Sequence, residues 1–268
     1  MSNKNQPDWE KIAEKFDLWL PCISPVGNAM LEALNVNAGD KVLDIASGTG
    51  EPALTLARSH NDITIEGVDA ADGMINVAQA KVKKEALKNI SFSTMPAEKL
   101  TYADNRFEHI ICRFGVMLFE NPLQGLKEMH RVLKPGGTFV IAVWGESENM
   151  PTMNWSYEVF KGKVPADDMP PLPIVTSLGA PGAVDALLNQ AGFTEFTVDR
   201  KTFNYDFDSF DDYWNLIESS DILKRQFDVL PESEHGNVKN EIAAMAGDYI
   251  SDAGLKVPHE YVLVHGVK

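Results

Sequence analysis

A glycine-bearing turn framed by two acids is where this sequence concentrates its chemistry. The turn reads Val42-Leu43-Asp44-Ile45-Ala46-Ser47-Gly48-Thr49-Gly50, followed by Glu51-Pro52, and it runs from a short apolar strand into a helix. Glycines let a backbone come close to a ligand, and the first turn of the following helix offers N–H groups with no helical partner. Such a loop suits a nucleotide. Asp44 narrows the choice, because a carboxylate directly before the turn repels a pyrophosphate and attracts a cationic or zwitterionic group. A second acid, Asp69, closes another apolar strand at Gly67-Val68-Asp69, about twenty residues beyond the turn, where a carboxylate can accept both hydroxyls of a ribose. Together the two acids describe a nucleoside without phosphates. On the glycines alone a dinucleotide fingerprint also survives, with Gly48, Gly50 and Ala53 in its three positions.

These residues need a scaffold, and the surrounding pattern supplies one. Trp9, Ile12, Phe16, Trp19 and Leu20 recur at spacings of three and four, then Pro21 to Pro25 breaks the pattern before Met30, Leu31 and Leu34, which predicts two helices with a Pro-bounded corner. From Lys41 the reading is strand, glycine turn and helix Pro52 to Arg58. The alternation continues with strand Thr64 to Val68, helix Gly73 to Lys84, strands Ile90 to Thr94 and His109 to Arg113, helix Pro122 to Leu133, and strand Thr138 to Trp144. Buried, non-alternating strands separated by helices predict a doubly wound α/β fold, a mostly parallel sheet covered on both faces. Lys134-Pro135-Gly136-Gly137 reads as a chain reversal into the fifth strand.

Beyond Trp144 the regularity stops. Met150 to Pro173 holds Pro151, Pro165, Pro170, Pro171 and Pro173 around Trp155, Tyr157 and Phe160, which predicts an irregular, partly helical segment over the sheet edge. Helix Ala183 to Gln190 ends at Gly192, and strand Glu195 to Asn204 follows. Asp206 to Asp252 carries twelve Asp/Glu against three Lys/Arg on helices such as Ser209 to Glu218, and a last strand runs from Tyr261 to Val267. The acidic stretch reads as a solvated surface that could also attract a cationic acceptor.

The 268 residues carry a formal net charge of -15, with 44% hydrophobic and 24% charged residues. That composition excludes global disorder and supports a substantial core. So acidic a chain, with no Lys/Arg cluster, excludes general phosphate-backbone binding and makes nucleic acid an unexpected partner. Two cysteines, Cys22 and Cys112, build neither a disulfide framework nor a multi-cysteine metal site, and no His-Glu spacing suggests a metal. Met1 to Glu10 is polar without the apolar core of a signal peptide, and no apolar run reaches the ~18 residues of a membrane span. The expectation is a soluble, cytoplasmic protein.

At this point the sequence resembles the class I S-adenosylmethionine-dependent methyltransferases, particularly the small-molecule group similar to ubiquinone/menaquinone methyltransferases. The resemblance runs through Asp44 to Gly50, Gly67-Val68-Asp69-Ala70, Pro96-Ala97-Glu98-Lys99-Leu100, Arg113-Phe114-Gly115-Val116-Met117 and Arg131 to Gly137, in family order over residues 40–145. It implies a single domain over residues 1–268: a seven-stranded Rossmann-like sheet with an antiparallel last strand and a helical cap. Residues 1–38 would lie over the cofactor, 39–145 would bind it, and 146–268 would add cap segments and final strands. It also implies S-adenosylmethionine as cofactor. Asp44 and the loop of Ala46, Ser47, Gly48 and Gly50 would take its methionine part, Asp69 the ribose, Ala70 and Met74 the border of the adenine, and Ala97 and Glu98 the adenine edge. Arg113 and Phe114 would line the methyl-transfer side. Ala46 stands where such loops usually have their first glycine, and Pro96 where the family commonly has an acid, so the backbone near Ala97 or Glu98 would meet the adenine.

Trp19, Met117, Trp144 and Trp155 could shape an apolar acceptor pocket, or be plain core. Arg113, leaving a buried strand at its C-terminal end, reads as functional, while His109 and His130 read as structural. The activity implied is methyl transfer to an O, N, C or S atom of a small molecule. Two other readings stay open: a nicotinamide-dependent oxidoreductase, against which Asp44 stands, and a non-catalytic cofactor-binding module.

Overall fold

The computed structural model describes residues 8–161, 163, 174–220, 230 and 232–268. Seven strands form one continuous sheet in the order β3-β2-β1-β4-β5-β8-β6, where β1 is Lys41–Ile45, β2 Thr64–Asp69, β3 Ile90–Thr94, β4 Phe107–Arg113, β5 Leu133–Trp144, β6 Glu195–Phe207 and β8 Gly254–Val267. The two-residue β7, Ile250–Ser251, pairs with β8 outside that path. β3 through β5 run parallel, and β8 lies antiparallel between β5 and β6. Val42, Leu43, Ile45, Ile110 and Ile111 are fully enclosed, as both faces of a parallel sheet require. An all-parallel dinucleotide sheet has no such inserted antiparallel strand.

The helices are α1 Trp9–Phe16, α2 Leu20–Glu32, α3 Ala53–Ser59, α4 Asp72–Glu85, α5 Pro122–Val132, α6 Pro151–Phe160, α7 Ala183–Ala191, α8 Phe210–Ser220 and α9 His235–Ala246. From β1 through β4, predicted and observed elements agree to within a few residues. The N-terminal corner does not lie at Pro21 to Pro25. It is a short 3-10 turn at Asp17–Trp19, and α2 runs through Pro25. Pro25 removes the N–H that would bond the Pro21 carbonyl, and the Ser24 hydroxyl donates to that carbonyl instead at 3.0 Å. The Lys134-to-Gly137 reversal is absorbed into β5 as an irregularity between Phe107↔Leu133 and His109↔Thr138, and the Gly136 N–H holds the Lys268 carbonyl there.

β6 and β8 are longer than their sequence pattern suggested. β5 ends at Trp144, opposite Tyr261, so residues 202–207 and 254–260 overhang the sheet as a two-stranded ribbon. Its register puts Phe203, Tyr205, Phe207, Leu255, Val257 and His259 on one face and Thr202, Asn204, Asp206, Lys256 and Glu260 on the other. The apolar face joins the main core to a second one, where Trp155, Phe160, Tyr213, Ile217, Val238 and Ile242 pack against Leu255 and Val257. Pro165, Pro170, Pro171 and Pro173 of the predicted irregular segment lie outside the described residues, as do Met1 to Pro7. Among the described residues no helix is long and apolar enough to cross a membrane.

Trp155 is 5% exposed within this second core and rings Tyr213 at 5.8 Å. Trp155→Ala should therefore cost about 3–5 kcal/mol of stability, the price of an enclosed aromatic. A thermal melt should show the loss while titration finds cofactor affinity unchanged in the folded fraction.

Candidate functional site

The chain passes from β3 on one side of β1 to β4 on the other, so a crevice opens where β1 and β4 separate at their C-terminal ends, the place where open α/β sheets bind ligands. Both strand ends leave in strained backbone. Ala46 follows β1 at φ 57° and Phe114 follows β4 at φ 58°, each in the left-handed region that favours glycine. Gly48 at φ 54° and Gly50 at φ 105° complete the turn. The loop is tied by Ser47 N–H to the Val68 carbonyl, Gly50 N–H to Ser47, and Leu54 N–H to Gly50, at 3.0, 2.9 and 2.8 Å. Ala46→Gly should relieve the left-handed penalty, raising stability by about 1 kcal/mol. A higher melting midpoint at unchanged cooperativity checks it.

Asp69 stands across the loop. Its Oδ2 accepts the Gly48 N–H at 2.9 Å and its Oδ1 the Ala71 N–H at 3.0 Å, so one carboxylate spans the glycine turn and the start of α4. Burial raises its pKa, opposed by the N–H groups of Ala71, Gly48 and Ala70. Each oxygen keeps a second lone pair for a hydroxyl.

Asp44, next to last in β1, is 1% exposed. Burial pushes its carboxyl up to about 8; the Arg113 guanidinium opposes, Asp69 and Glu51 add to the rise, and the Ala53 N–H opposes again. Its Oδ2 has no hydrogen-bond partner, and neither has the buried Ser47 hydroxyl. A polar group enclosed without a partner is costly in any fold, and two of them three residues apart, one at the end of β1 and one in the glycine turn, mark a place built for a ligand's polar group. The Arg113 guanidinium, from the end of β4, acts on Asp44. Its Nη2 donates to the Glu51 carbonyl at 2.9 Å, and enclosure lowers its pKa to about 10 against the pull of Asp44 and Glu51. Gly27 of α2 leaves it room, since a Cβ there would stand 3.2 Å from Arg113 Nη1.

An aromatic group continues from Phe114. Its ring stacks on Trp144 at 3.9 Å and 13°, and Trp144 faces Phe203 at 6.0 Å, Tyr205 at 6.4 Å and His259 at 6.1 Å. Trp19 reaches Tyr205 at 6.3 Å, and its enclosed Nε1 has no partner. His259 is held neutral: its Nδ1–H donates to the Val257 carbonyl at 3.0 Å, its Nε2 accepts the Thr152 hydroxyl at 2.6 Å, and burial pushes its pKa down to about 4.

The structure thus brings together Asp44, Ala46, Ser47, Gly48, Gly50, Asp69, Arg113 and Phe114, with Trp19 and Trp144 beside them. Met117 is buried in the main core just after Phe114. Trp155 is not brought to this group; it fills the second core. Ala70 is exposed beside Asp69, while Met74 is covered by Ile12 and Ala13 of α1. Ala97 is buried, and Glu98 turns to the start of α5, where its Oε1 accepts the Asn121 N–H at 3.1 Å. His109 bridges Asp40 and Thr138 at 2.9 and 2.6 Å at the opposite end of the strands, and His130 packs edge-on against Phe193.

Sequence reasoning missed the side chains that close the crevice from the N-terminal side. Asp17 accepts the Thr49 hydroxyl at 2.6 Å and Lys81 at 2.7 Å, and Lys81 also donates to the Thr49 carbonyl at 2.9 Å. Nothing local signals this trio, because its members come from three separate elements. The ribbon partners Phe203, Tyr205 and His259 were likewise unseen until the β6–β8 register placed them.

Comparison with known proteins gives a match to the family described as ubiE/COQ5 methyltransferase over residues 11–172. The chain is 43% identical over 102 residues to a demethylmenaquinone methyltransferase of Bacteroides fragilis, covering 38% of this chain and 42% of that one. It is 32% identical over 146 residues to the ubiquinone/menaquinone biosynthesis C-methyltransferase UbiE of Geotalea daltonii, covering 49% and 62%. The chain thus spans about half the length of the curated relatives it matches. Among solved structures, the YcgJ protein of Bacillus subtilis superimposes with a TM-score of 0.63 at 17% identity, over 91% of this chain and 98% of that one, a likeness of fold.

Proposed function

The chain belongs to the ubiE/COQ5 methyltransferase family, and from that premise we propose that it is an S-adenosylmethionine-dependent enzyme that methylates an O, N, C or S atom of a small molecule. The observation that carries this reading is the unpartnered, buried Oδ2 of Asp44 at the end of β1, with a second unpartnered group, the Ser47 hydroxyl, in the glycine turn that follows. A cationic donor answers both orphans, and the ammonium of a methionine moiety is such a donor. A pyrophosphate brings no donor for the Asp44 oxygen, and its charge would face Asp69 and Glu51.

The residues fit the group as follows. Asp44 and Ser47 would hold its amino end, Gly48 and Gly50 would let the loop backbone approach, Asp69 would accept the ribose hydroxyls, and Ala70 and Ala97 would border the adenine. Arg113 would keep Asp44 oriented and fix the loop through the Glu51 carbonyl. When bound, S-adenosylmethionine supplies a methyl group already activated by its sulfonium, so in-line transfer asks the protein mainly for positioning and exclusion of water. Phe114 and Trp144 would seat the acceptor and keep water out. The stacked rings support a planar acceptor such as a phenol or quinol, in keeping with the relatives named for quinone biosynthesis. Residues 1–38, 39–145 and 146–268 would then serve as cover, cofactor core and acceptor cap of one domain. The two free, buried thiols support a cytoplasmic setting.

Asp44 makes the reading testable by pH. Its folded pKa of about 8 lies above the ordinary 3.8, so between those values the ligand-free fold binds more protons than the unfolded chain. Its contribution to stability is full below about 4 and is lost as pH rises towards about 8. A cation bound to Asp44 must displace that proton. Calorimetric titration with S-adenosylhomocysteine near pH 6.5, in buffers of differing ionisation enthalpy, should therefore show release of on the order of one proton. Asp44→Asn should abolish the release. Binding without any proton exchange in the parent protein would remove Asp44 from the cofactor site.

A further inference from the structure

The short N-terminal helix is joined to the rest of the molecule in an unusual way. Its buried side chains Ile12 and Ala13 pack with Ala71 and Met74 in a small cluster separate from the main core. Phe16, at its end, lies over the glycine turn, 3.8 Å from where a Cβ on Gly48 would stand. Two carboxylates fasten it. Glu10 accepts the backbone N–H groups of Asp72 and Gly73 at the start of α4, the positive end of that helix. Asp17 accepts the Thr49 hydroxyl and the Lys81 ammonium. Beyond these contacts the segment touches α8 and the α2 it leads into, and Trp19 at its end is anchored in the main core, reaching Tyr205 at 6.3 Å.

Lys81 is the informative member. One ammonium donates both to Asp17 on the covering segment and to the Thr49 carbonyl inside the glycine turn. A change in the turn is therefore felt directly at the segment above it. A unit with a small core of its own and a few polar ties opens at lower free energy than the sheet beneath.

We propose that Trp9–Asp17 is a latched lid over the crevice, hinged where Trp19 enters the main core, and that Lys81, by holding Asp17 and the Thr49 carbonyl together, couples occupancy of the glycine turn to closure of that lid. Lys81 is a positioning residue in this scheme and touches no reacting atom. The proposal rests on the cofactor reading for what the lid encloses, but its opening can be measured without any ligand.

The experiment is hydrogen exchange followed by mass spectrometry on the full chain, comparing peptides from Trp9–Asp17 with those from β1 and β4. In the ligand-free protein the lid amides should exchange while the strands stay protected, and saturating S-adenosylhomocysteine should slow them. Lys81→Met should speed lid exchange by about tenfold, as expected for one lost charge-assisted hydrogen bond, and speed cofactor release equally without moving the strands. Asp17→Asn, which keeps an acceptor for Thr49 but no charge, should have the same direction of effect and guards against a folding defect in the first variant. Lid amides that exchange only together with β1 and β4, or that ignore both variants, would overturn the proposal. If S-adenosylhomocysteine binds and the lid amides do not respond, the coupling fails while the cofactor reading stands. If the compound does not bind at all, the cofactor reading fails and the ligand-free exchange still decides the lid.

Discussion

Asp69→Ala is expected to weaken S-adenosylhomocysteine binding by about 100-fold or more. Hydrogen bonds to a charged acceptor contribute about 1.5–3 kcal/mol each, and two ribose hydroxyls would lose theirs. The same change leaves the Gly48 and Ala71 N–H groups without the partners they now have at 2.9 and 3.0 Å. That costs roughly 2 kcal/mol of stability, offset in part because the buried carboxylate is itself unfavourable. Calorimetry on the folded variant separates the two effects. An Asp69→Ala protein that folds and binds as tightly as its parent would mean the ribose lies elsewhere.

Gly50→Ala should be the more damaging substitution. At φ 105° an L-residue is outside every comfortable region, and the new Cβ would stand 2.7 Å from Leu54 Cδ1 and 3.1 Å from Phe92 Cζ. Leu54 and Phe92 belong to the closed core and cannot yield cheaply, so the loss should reach about 3 kcal/mol with the loop, and hence binding, displaced. Gly136→Ala is the control, since its φ is 77° but no atom lies within 4 Å of the added Cβ. It should lose only about 1 kcal/mol and leave binding intact. Melting curves and titrations of the pair isolate crowding at the glycine turn from left-handed strain. Equal losses in both would mean that Leu54 and Phe92 give way and the turn is less constrained than its packing indicates.

The sheet up to β4 was legible because its strands are short apolar runs bounded by glycine or acid, and each helix between them has its own period. Asp44 and Asp69 could be singled out because strand ends before turns are where an open sheet exposes side chains. The N-terminal corner was misplaced for a local reason: Pro21 and Pro25 look like breakers, yet Ser24 supplies the hydrogen bond that Pro25 cannot. The ribbon of β6 and β8 was read too short because Asn204, Asp206 and Pro258 interrupt it on the face that turns away from the core. Trp155 could not be told from a pocket residue, since an aromatic in a helix carries the same signature in either core. The Asp17, Thr49 and Lys81 contacts depend on tertiary placement alone.

Under the proposed function the Asp44–Asp69 crevice takes S-adenosylmethionine rather than a nicotinamide dinucleotide. Calorimetric titration of the purified protein with S-adenosylmethionine, S-adenosylhomocysteine and reduced nicotinamide cofactors tests it directly. The predicted result is saturable one-site binding of the first two and none of the third. Saturable binding of a reduced nicotinamide cofactor, or of none of the three, would contradict it.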